Sequence, residues 1–148
     1  MADIVFDYAK GRGVQLPADN PNSLVLILLQ AVEADATLET YANMSTLLAA
    51  AGNTEATFTG YARKTGMTET ITVDTTNHKA YVTFPNQTYT APGGATNNTL
   101  VKAIIAVQTA TAGDTGLIPI GAFDYSATTN GSVDLVINCP TAGFYSAS

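Results

Sequence analysis

Two long apolar runs dominate the hydrophobic pattern of this chain. The first covers residues 24–29 and follows a turn-rich stretch with two prolines, and the second covers residues 100–107. Continuous apolar runs bounded by turn residues are typical of strands that are buried on both faces. Lys102 interrupts the second run, so a buried strand there needs a path to solvent or a partner for the ammonium group. A shorter run at 117–120 contains Pro119, which predicts an edge strand or a bulge.

Residues 37–51 repeat with the period of an α-helix. One face of this helix would carry a stripe that begins at Leu38 and ends at Leu48. Either Asp35 or Thr37 can accept a hydrogen bond from the first turn, and a glycine follows the last turn. The pattern predicts one substantial helix in this part of the chain.

A different period begins at residue 57, where larger and smaller side chains start to alternate. Alternation with a period of two is typical of a strand, so the pattern predicts a strand through residues 57–63. On that strand Phe58 would face the core, and Tyr61 and Arg63 would lie on the opposite face.

Turn residues predict two β-hairpins in the second half of the chain. The first joins residues 70–73 to residues 80–84 through a polar turn. The second has its turn at residues 130–131, an Asn-Gly pair that is typical of tight hairpins. This second hairpin would pair residues 123–125 with residues 133–137.

The whole pattern predicts a mainly β protein with about eight short strands. We expect an antiparallel β-sandwich of jelly-roll-like topology, with one helix near residues 37–51. Jelly-roll and immunoglobulin-like strand orders produce the same pattern of short strands, so both orders stay open. A single sandwich domain would cover residues 17–148 and follow an N-terminal arm at residues 1–16.

The arm is predicted from the weak alternation at the start of the chain. Ile4, Phe6 and Tyr8 would share one face of an extended segment, and Lys10 and Arg12 then alternate with glycines. Chain termini are commonly mobile until something binds them, which favours an arm that is loosely tied to the domain. The alternative is an ordinary edge strand followed by a loop.

The composition limits the classes of partner. Charged residues make up 12% of the chain, against about 25% in typical soluble domains. Short polar side chains take their place, and these lose little entropy when they pack against a neighbour. The net charge of −6 argues against nucleic-acid binding, which needs a basic surface. From the acidic N-terminus and the shortness of the apolar runs we expect synthesis in a cytoplasm and no membrane partner.

Few side chains suggest chemistry. His78 is the single histidine and lies in a polar turn, and Cys139 is the single cysteine and is typical of a small core residue. Glu33, Asp35 and Glu39 could together hold a hard cation, although carboxylates near a helix start more commonly stabilise that helix. We therefore expect no catalytic residue, no metal site and no cofactor.

Arg63 has two interpretations. It could be a solvated cation, or one paired with an Asp on a neighbouring strand. It could instead be held beside Tyr61 and bind a carboxylate of another subunit. With the N-terminal residues, this second interpretation defines the candidate assembly contacts, which are Ile4, Phe6, Tyr8, Lys10, Arg12, Tyr61 and Arg63.

Five stretches form an ordered pattern along the chain: 23–29 (SLVLILL), 34–41 (ADATLETY), 47–64 (LLAAAGNTEATFTGYARK), 117–120 (LIPI) and 142–145 (AGFY). This pattern resembles a group of small virion structural proteins of tailed bacteriophages, and the likeness covers most of the chain. Its most specific part is the Gly-Tyr-Ala-Arg sequence at residues 60–63. Tyr89 stands where the resemblance would place a tryptophan.

The resemblance implies an assembly role in the virion, without enzymatic activity, after synthesis in the host bacterial cytoplasm. We expect a capsid decoration (cement) protein, a homotrimer that clamps adjacent major capsid proteins. The alternative is a tail, neck or fibre component that contacts a host receptor or glycan. A third class, a carbohydrate-binding or glycan-hydrolysing domain, would need an aromatic platform such as one built from Tyr81, Tyr89 and Tyr125.

Overall fold

The computed structural model describes residues 4–9, 12–141 and 143–147, and for Tyr8 and Ala147 it describes the backbone alone. Within these residues the chain forms eleven strands, three short α-helices and one 3₁₀ turn at Asp7–Ala9. The helices are α1 (Gln15–Asp19), α2 (Asp35–Leu38) and α3 (Met44–Ala49). The strands are β1 (Ile4–Val5), β2 (Leu24–Ala31), β3 (Thr54–Glu55), β4 (Lys64–Met67), β5 (Thr70–Asp74), β6 (Lys79–Thr83), β7 (Gln87–Tyr89), β8 (Thr99–Gln108), β9 (Leu117–Thr128), β10 (Leu135–Ile137) and β11 (Tyr145–Ala147).

The largest sheet is antiparallel and has β2 near its centre. Its strand order is β1-β9-β8-β2-β3, and β4 shares with β3 the edge of β2 that faces away from β8. Residues 24–29 of β2 are all buried, and so are residues 102–107 of β8. The prediction that both apolar runs form strands buried on both faces is therefore confirmed.

The β8–β9 pair contains the bulge that Pro119 predicts. Ile105 pairs with Gly121, whereas the next residue, Ala106, pairs with Pro119, so Ile120 has no direct partner on β8. A proline cannot donate a ladder hydrogen bond, and a bulge is one of the places in a sheet that tolerates this loss.

Two smaller antiparallel sheets pack against the large one. The predicted hairpin of residues 70–84 is confirmed as β5 and β6, and β11 pairs with the other edge of β6. Phe84, which follows β6, packs against Phe123 of β9 and against Phe144, with ring centroids 6.2 and 5.8 Å apart. These aromatic contacts join the three-stranded sheet to the core.

The second predicted hairpin is wrong. β9 continues as far as Thr128 and pairs with β8, while β10 pairs with β7 through Leu135 and Tyr89. Leu135 and Ile137 are buried in that arrangement, and Val136 between them is 44% exposed. Burial of the alternate side chains selects β7 as the partner of β10, even though the intervening Asn-Gly turn favours a local hairpin.

The single helix predicted for residues 37–51 is also wrong, because this segment forms α2 and α3 with a break between them. Asn43 interrupts the helical backbone in an extended conformation, and its side chain accepts a hydrogen bond from the Thr46 amide at 2.9 Å. Asn is a strong N-cap residue, so it begins a second helix here. Neither Asp35 nor Thr37 caps α2, since the N-cap residue is Ala34 and no side chain bonds to this helix start.

The N-terminal segment lies against the large sheet. Ile4 and Val5 pair with Ala122 and Gly121 of β9, and the Phe6 amide donates to the Ile120 carbonyl at 3.2 Å. This segment therefore extends the edge of the sheet, as the alternative interpretation had it, and α1 begins at Gln15. The role of residues 1–16 as an N-terminal arm in assembly stays a prediction.

The architecture is thus mainly β, with antiparallel sheets packed together and three short helices at their margins. None of the helices in the described part of the chain has the length and apolar character needed to cross a bilayer.

Candidate functional site

The segment at residues 56–63 is a turn and not the predicted strand. Gly60 has a φ of +86°, and the Tyr61 amide donates to the Phe58 carbonyl at 2.9 Å across the turn. Side chains with a Cβ rarely adopt such a φ, so glycine at this position favours the turn. The regular strand, β4, begins one residue after Arg63.

The turn places two aromatic residues in one cluster instead of on opposite faces. Phe58 is buried, and its ring lies edge-on to those of Tyr61 and Tyr89, with centroids 5.1 and 5.5 Å away. The two tyrosine rings stack at 6.0 Å, and Lys64 Nζ lies 4.4 Å from the Tyr89 ring centroid. Edge-on and offset aromatic pairs add to the stability that burial provides. The prediction that Phe58 faces the core is confirmed.

Tyr61 links this cluster to the central strand. Its hydroxyl accepts a hydrogen bond from the Leu28 amide at 3.2 Å and donates to Glu55 Oε1 at 2.8 Å. Burial, together with the negative charge of Glu55, raises the pKa of the Tyr61 phenol well above its ordinary value. The hydroxyl therefore stays protonated and serves as a fixed donor to Glu55.

Arg63 is held by two carboxylates of its own chain. Its Nε and Nη2 atoms both donate to Glu55, at 2.7 Å each, which is the bidentate geometry that arginine favours. Nη1 donates to Asp114, in the loop that joins β8 and β9. These hydrogen bonds raise the pKa of the Arg63 guanidinium and lower the pKa of the Asp114 carboxyl.

This network connects separate parts of the same chain. The side chains of Arg63 and Glu55 are 25% and 23% exposed, and they connect the turn to the β8–β9 loop. One interpretation paired Arg63 with an Asp on a neighbouring strand, whereas its partners are Glu55 of β3 and Asp114 of the β8–β9 loop. The contact of Arg63 with another subunit stays a prediction.

The other candidate assembly contacts lie in the N-terminal segment. Ile4 and Phe6 are 8% and 0% exposed, and Arg12 is exposed. Tyr8 lies in the 3₁₀ turn, and Lys10 falls outside the described residues. The N-terminal segment pairs with β9. The turn that contains Tyr61 and Arg63 is bonded instead to β2 and to the β8–β9 loop.

Lys102 forms a second charged centre, inside the large sheet. Its side chain is completely buried, and Nζ lies 2.6 Å from Asp35 Oδ1 and 3.0 Å from Asp124 Oδ1. Asp124 is its cross-strand neighbour on β9, whereas Asp35 is the first residue of α2. The sequence required a partner or an exit for this ammonium group, and the structure supplies two partners.

Two of the three carboxylates that could hold a cation, Glu33 and Asp35, bind groups of their own chain. Glu33 Oε2 accepts hydrogen bonds from the Tyr41 hydroxyl at 2.7 Å and from the Asn53 amide group at 2.9 Å. Asp35 binds Lys102, and the described residues contain no cluster of metal-ligating side chains.

The remaining predicted features are separate from one another. His78 is exposed at the tip of the β5–β6 hairpin, with a φ of +52°. Partial burial raises the pKa of the Cys139 thiol. Tyr89 is 4% exposed inside the Phe58 cluster, and its hydroxyl donates to the Ala62 carbonyl at 2.7 Å. A buried Tyr89 cannot form an exposed glycan platform with Tyr81 and Tyr125.

Comparisons with protein-family models, with curated proteins and with solved structures found no match to this chain.

Proposed function

We propose that this chain is a structural protein of a bacteriophage virion, and specifically a capsid decoration (cement) protein. In this role it binds the major capsid protein and stabilises the shell as a homotrimer, without enzymatic activity.

The single observation that carries the proposal is the resemblance of residues 47–64 to small virion proteins of tailed phages. In the structure Asn53 of this segment donates to the Leu47 carbonyl of α3, and Arg63, which precedes β4, binds Glu55 of β3.

The surface supports an assembly role independently. Val73, Val133 and Val136 are 70%, 65% and 44% exposed, and only 12% of the residues of the chain are charged. Val73 lies on β5, which is one of the two edge strands of its sheet and has a Thr-Ile-Thr-Val sequence before Asp74. An edge strand without lysine or proline is open to pairing with another chain. Such a surface suits close packing in a shell.

Our finer proposal for the fold, a jelly-roll-like order of the sheets, stays a prediction. An experimental structure tests it directly, because a jelly roll requires two packed sheets whose strands are connected as Greek keys.

The functional proposal is tested with purified protein and two kinds of particle. Expanded capsids that lack the protein, and isolated tails, are each sedimented with it, and the bound fraction and the melting temperature of the capsids are measured. We expect saturable binding to capsids and a higher capsid melting temperature. Binding to tails alone would replace the proposal with the tail, neck or fibre alternative, and binding to neither particle would contradict both.

A further inference from the structure

Among the described residues Lys102 is the one charged side chain that is completely buried. Its amine lies between two carboxylates that come from different elements, Asp35 of α2 and Asp124 of β9. On the other side of β8 its cross-strand neighbour is Leu29, which is also completely buried. The amine is thus buried and lies within contact distance of two carboxylates that could react with it.

We propose that Lys102 and Asp35 react with each other to form an intramolecular isopeptide bond, with Asp124 as the proton carrier. The product is a secondary amide between Nζ of Lys102 and Cγ of Asp35. This reaction is a modification of the chain by itself, and it does not depend on the proposed role in the virion.

The distances favour this reaction. Nζ lies 2.6 Å from Asp35 Oδ1, and a carbon–oxygen bond adds about 1.2 Å, so Cγ lies within about 3.8 Å of the amine. Reacting atoms held at about 3–3.5 Å react much faster than free groups, so a small adjustment completes the approach. Complete burial of the Lys102 side chain also removes the water that would otherwise solvate its ammonium group.

The reaction balances without any added reagent. Proton transfer from the ammonium group to Asp35 first gives a neutral amine and a neutral carboxylic acid. The amine lone pair then attacks Cγ, and Asp124 accepts a proton from Nζ. Asp124 returns that proton to the departing hydroxyl group of Asp35, which leaves as water. One carbon–nitrogen bond forms, one carbon–oxygen bond breaks, and no group is oxidised or reduced.

The geometry assigns different roles to the two carboxylates. Asp35 has the shorter contact and is 22% exposed, whereas Asp124 is 33% exposed and lies at 3.0 Å. The pKa of Asp124 lies below its ordinary value. Partial burial acts to raise this pKa, but the effects that lower it, among them the hydrogen bond from Lys102, are together larger. An ionised Asp124 is suited to accept the proton, because general bases act in the deprotonated form.

The test is the intact mass of the purified full-length protein after denaturation. We expect a mass lower than that of the sequence by one water molecule. Trypsin should then fail to cleave after Lys102 and should release residues 13–63 joined to residues 80–148 as one branched species. A folded protein with the full mass, or a mass loss located elsewhere by fragmentation, would overturn the proposal.

Variants separate the reaction from a simple ion pair. Asp35→Asn should lose one ammonia molecule in place of water, because the amide then supplies the leaving group. Lys102→Arg should retain the full mass, and Lys79→Arg, a matched change at another lysine, should still lose water. Asp124→Asn should form the bond about 10²-fold more slowly during cell-free synthesis. Equal rates for Asp124→Asn and the unmodified chain would remove Asp124 from the mechanism.

Discussion

Replacement of Arg63 by alanine tests whether the network at the turn stabilises the fold. The change removes two hydrogen bonds to Glu55 and the contact with Asp114, and it leaves both carboxylates without their cation. Tyr61 still donates to Glu55 at 2.8 Å, so this carboxylate keeps one partner.

The magnitude follows from the burial of the pair. Exposed ion pairs contribute about 0–1 kcal/mol, and removal of one partner of a fully buried pair costs about 3–5 kcal/mol. Arg63 and Glu55 are about three-quarters buried, at 25% and 23% side-chain exposure, and one carboxylate keeps a donor. We therefore expect Arg63→Ala to lower the free energy of unfolding by about 2 kcal/mol, which is about 4–8 °C in Tm for a chain of this length.

Urea unfolding followed by circular dichroism measures this loss, and Arg12→Ala, a change at an exposed arginine, is the matched control. A double-mutant cycle with Glu55→Gln should give a coupling energy of at least about 1 kcal/mol, because the two side chains are in direct contact. If Arg63→Ala changes stability no more than Arg12→Ala does, the network is a weak surface feature and the reasoning fails.

Three other predictions concern the core and the titration of the network. Phe6→Ala should cost about 3–5 kcal/mol in urea unfolding, because Phe6 is completely buried, whereas Val73→Ala, at a 70% exposed position, should cost little. Gly121→Ala should destabilise the protein in thermal unfolding, because its Cβ would lie 2.4 Å from the Phe144 carbonyl oxygen; an unchanged Tm would contradict that contact. The pKa of Asp114 is lower in the folded protein than its ordinary value of 3.8, so the ionised carboxylate stabilises the fold at pH values above 3.8. This stabilisation is lost as the pH falls below 3.8. The difference in unfolding free energy between the unmodified chain and Asp114→Asn should therefore shrink in acid. A difference that does not change with pH would contradict this role of Asp114.

The parts of the fold that could be predicted from the sequence are those with a strong local signal. The apolar runs at 24–29 and 100–107 became the central strands, because short apolar runs bounded by turn residues fit strands covered on both faces. The sequence also predicts a partner for Lys102, because burial of an unpaired charge costs a large free energy. Its partners could not be named, because Asp35 lies 67 residues away in the chain.

The wrong predictions concern segments whose local sequence favours one backbone structure while burial of their side chains favours another. The Asn-Gly turn at 130–131 favours a hairpin, but β10 pairs with β7 and buries Leu135 and Ile137. The alternation at 57–63 resembles a strand, but Gly60 permits a turn that places Tyr61 beside Phe58. Arg63 could be expected to pair with an Asp, but nothing local in the sequence indicates that it meets Asp114. Such contacts depend on the complete packing of the chain.

The measurement that tests the proposed function most directly is a residue-resolution map of the phage particle that we propose to contain this protein. We predict density for three copies around a symmetry axis on the outer surface of the capsid, in contact with the major capsid protein. Density for this chain in the tail, the neck or the fibres alone would contradict the assignment as a decoration protein.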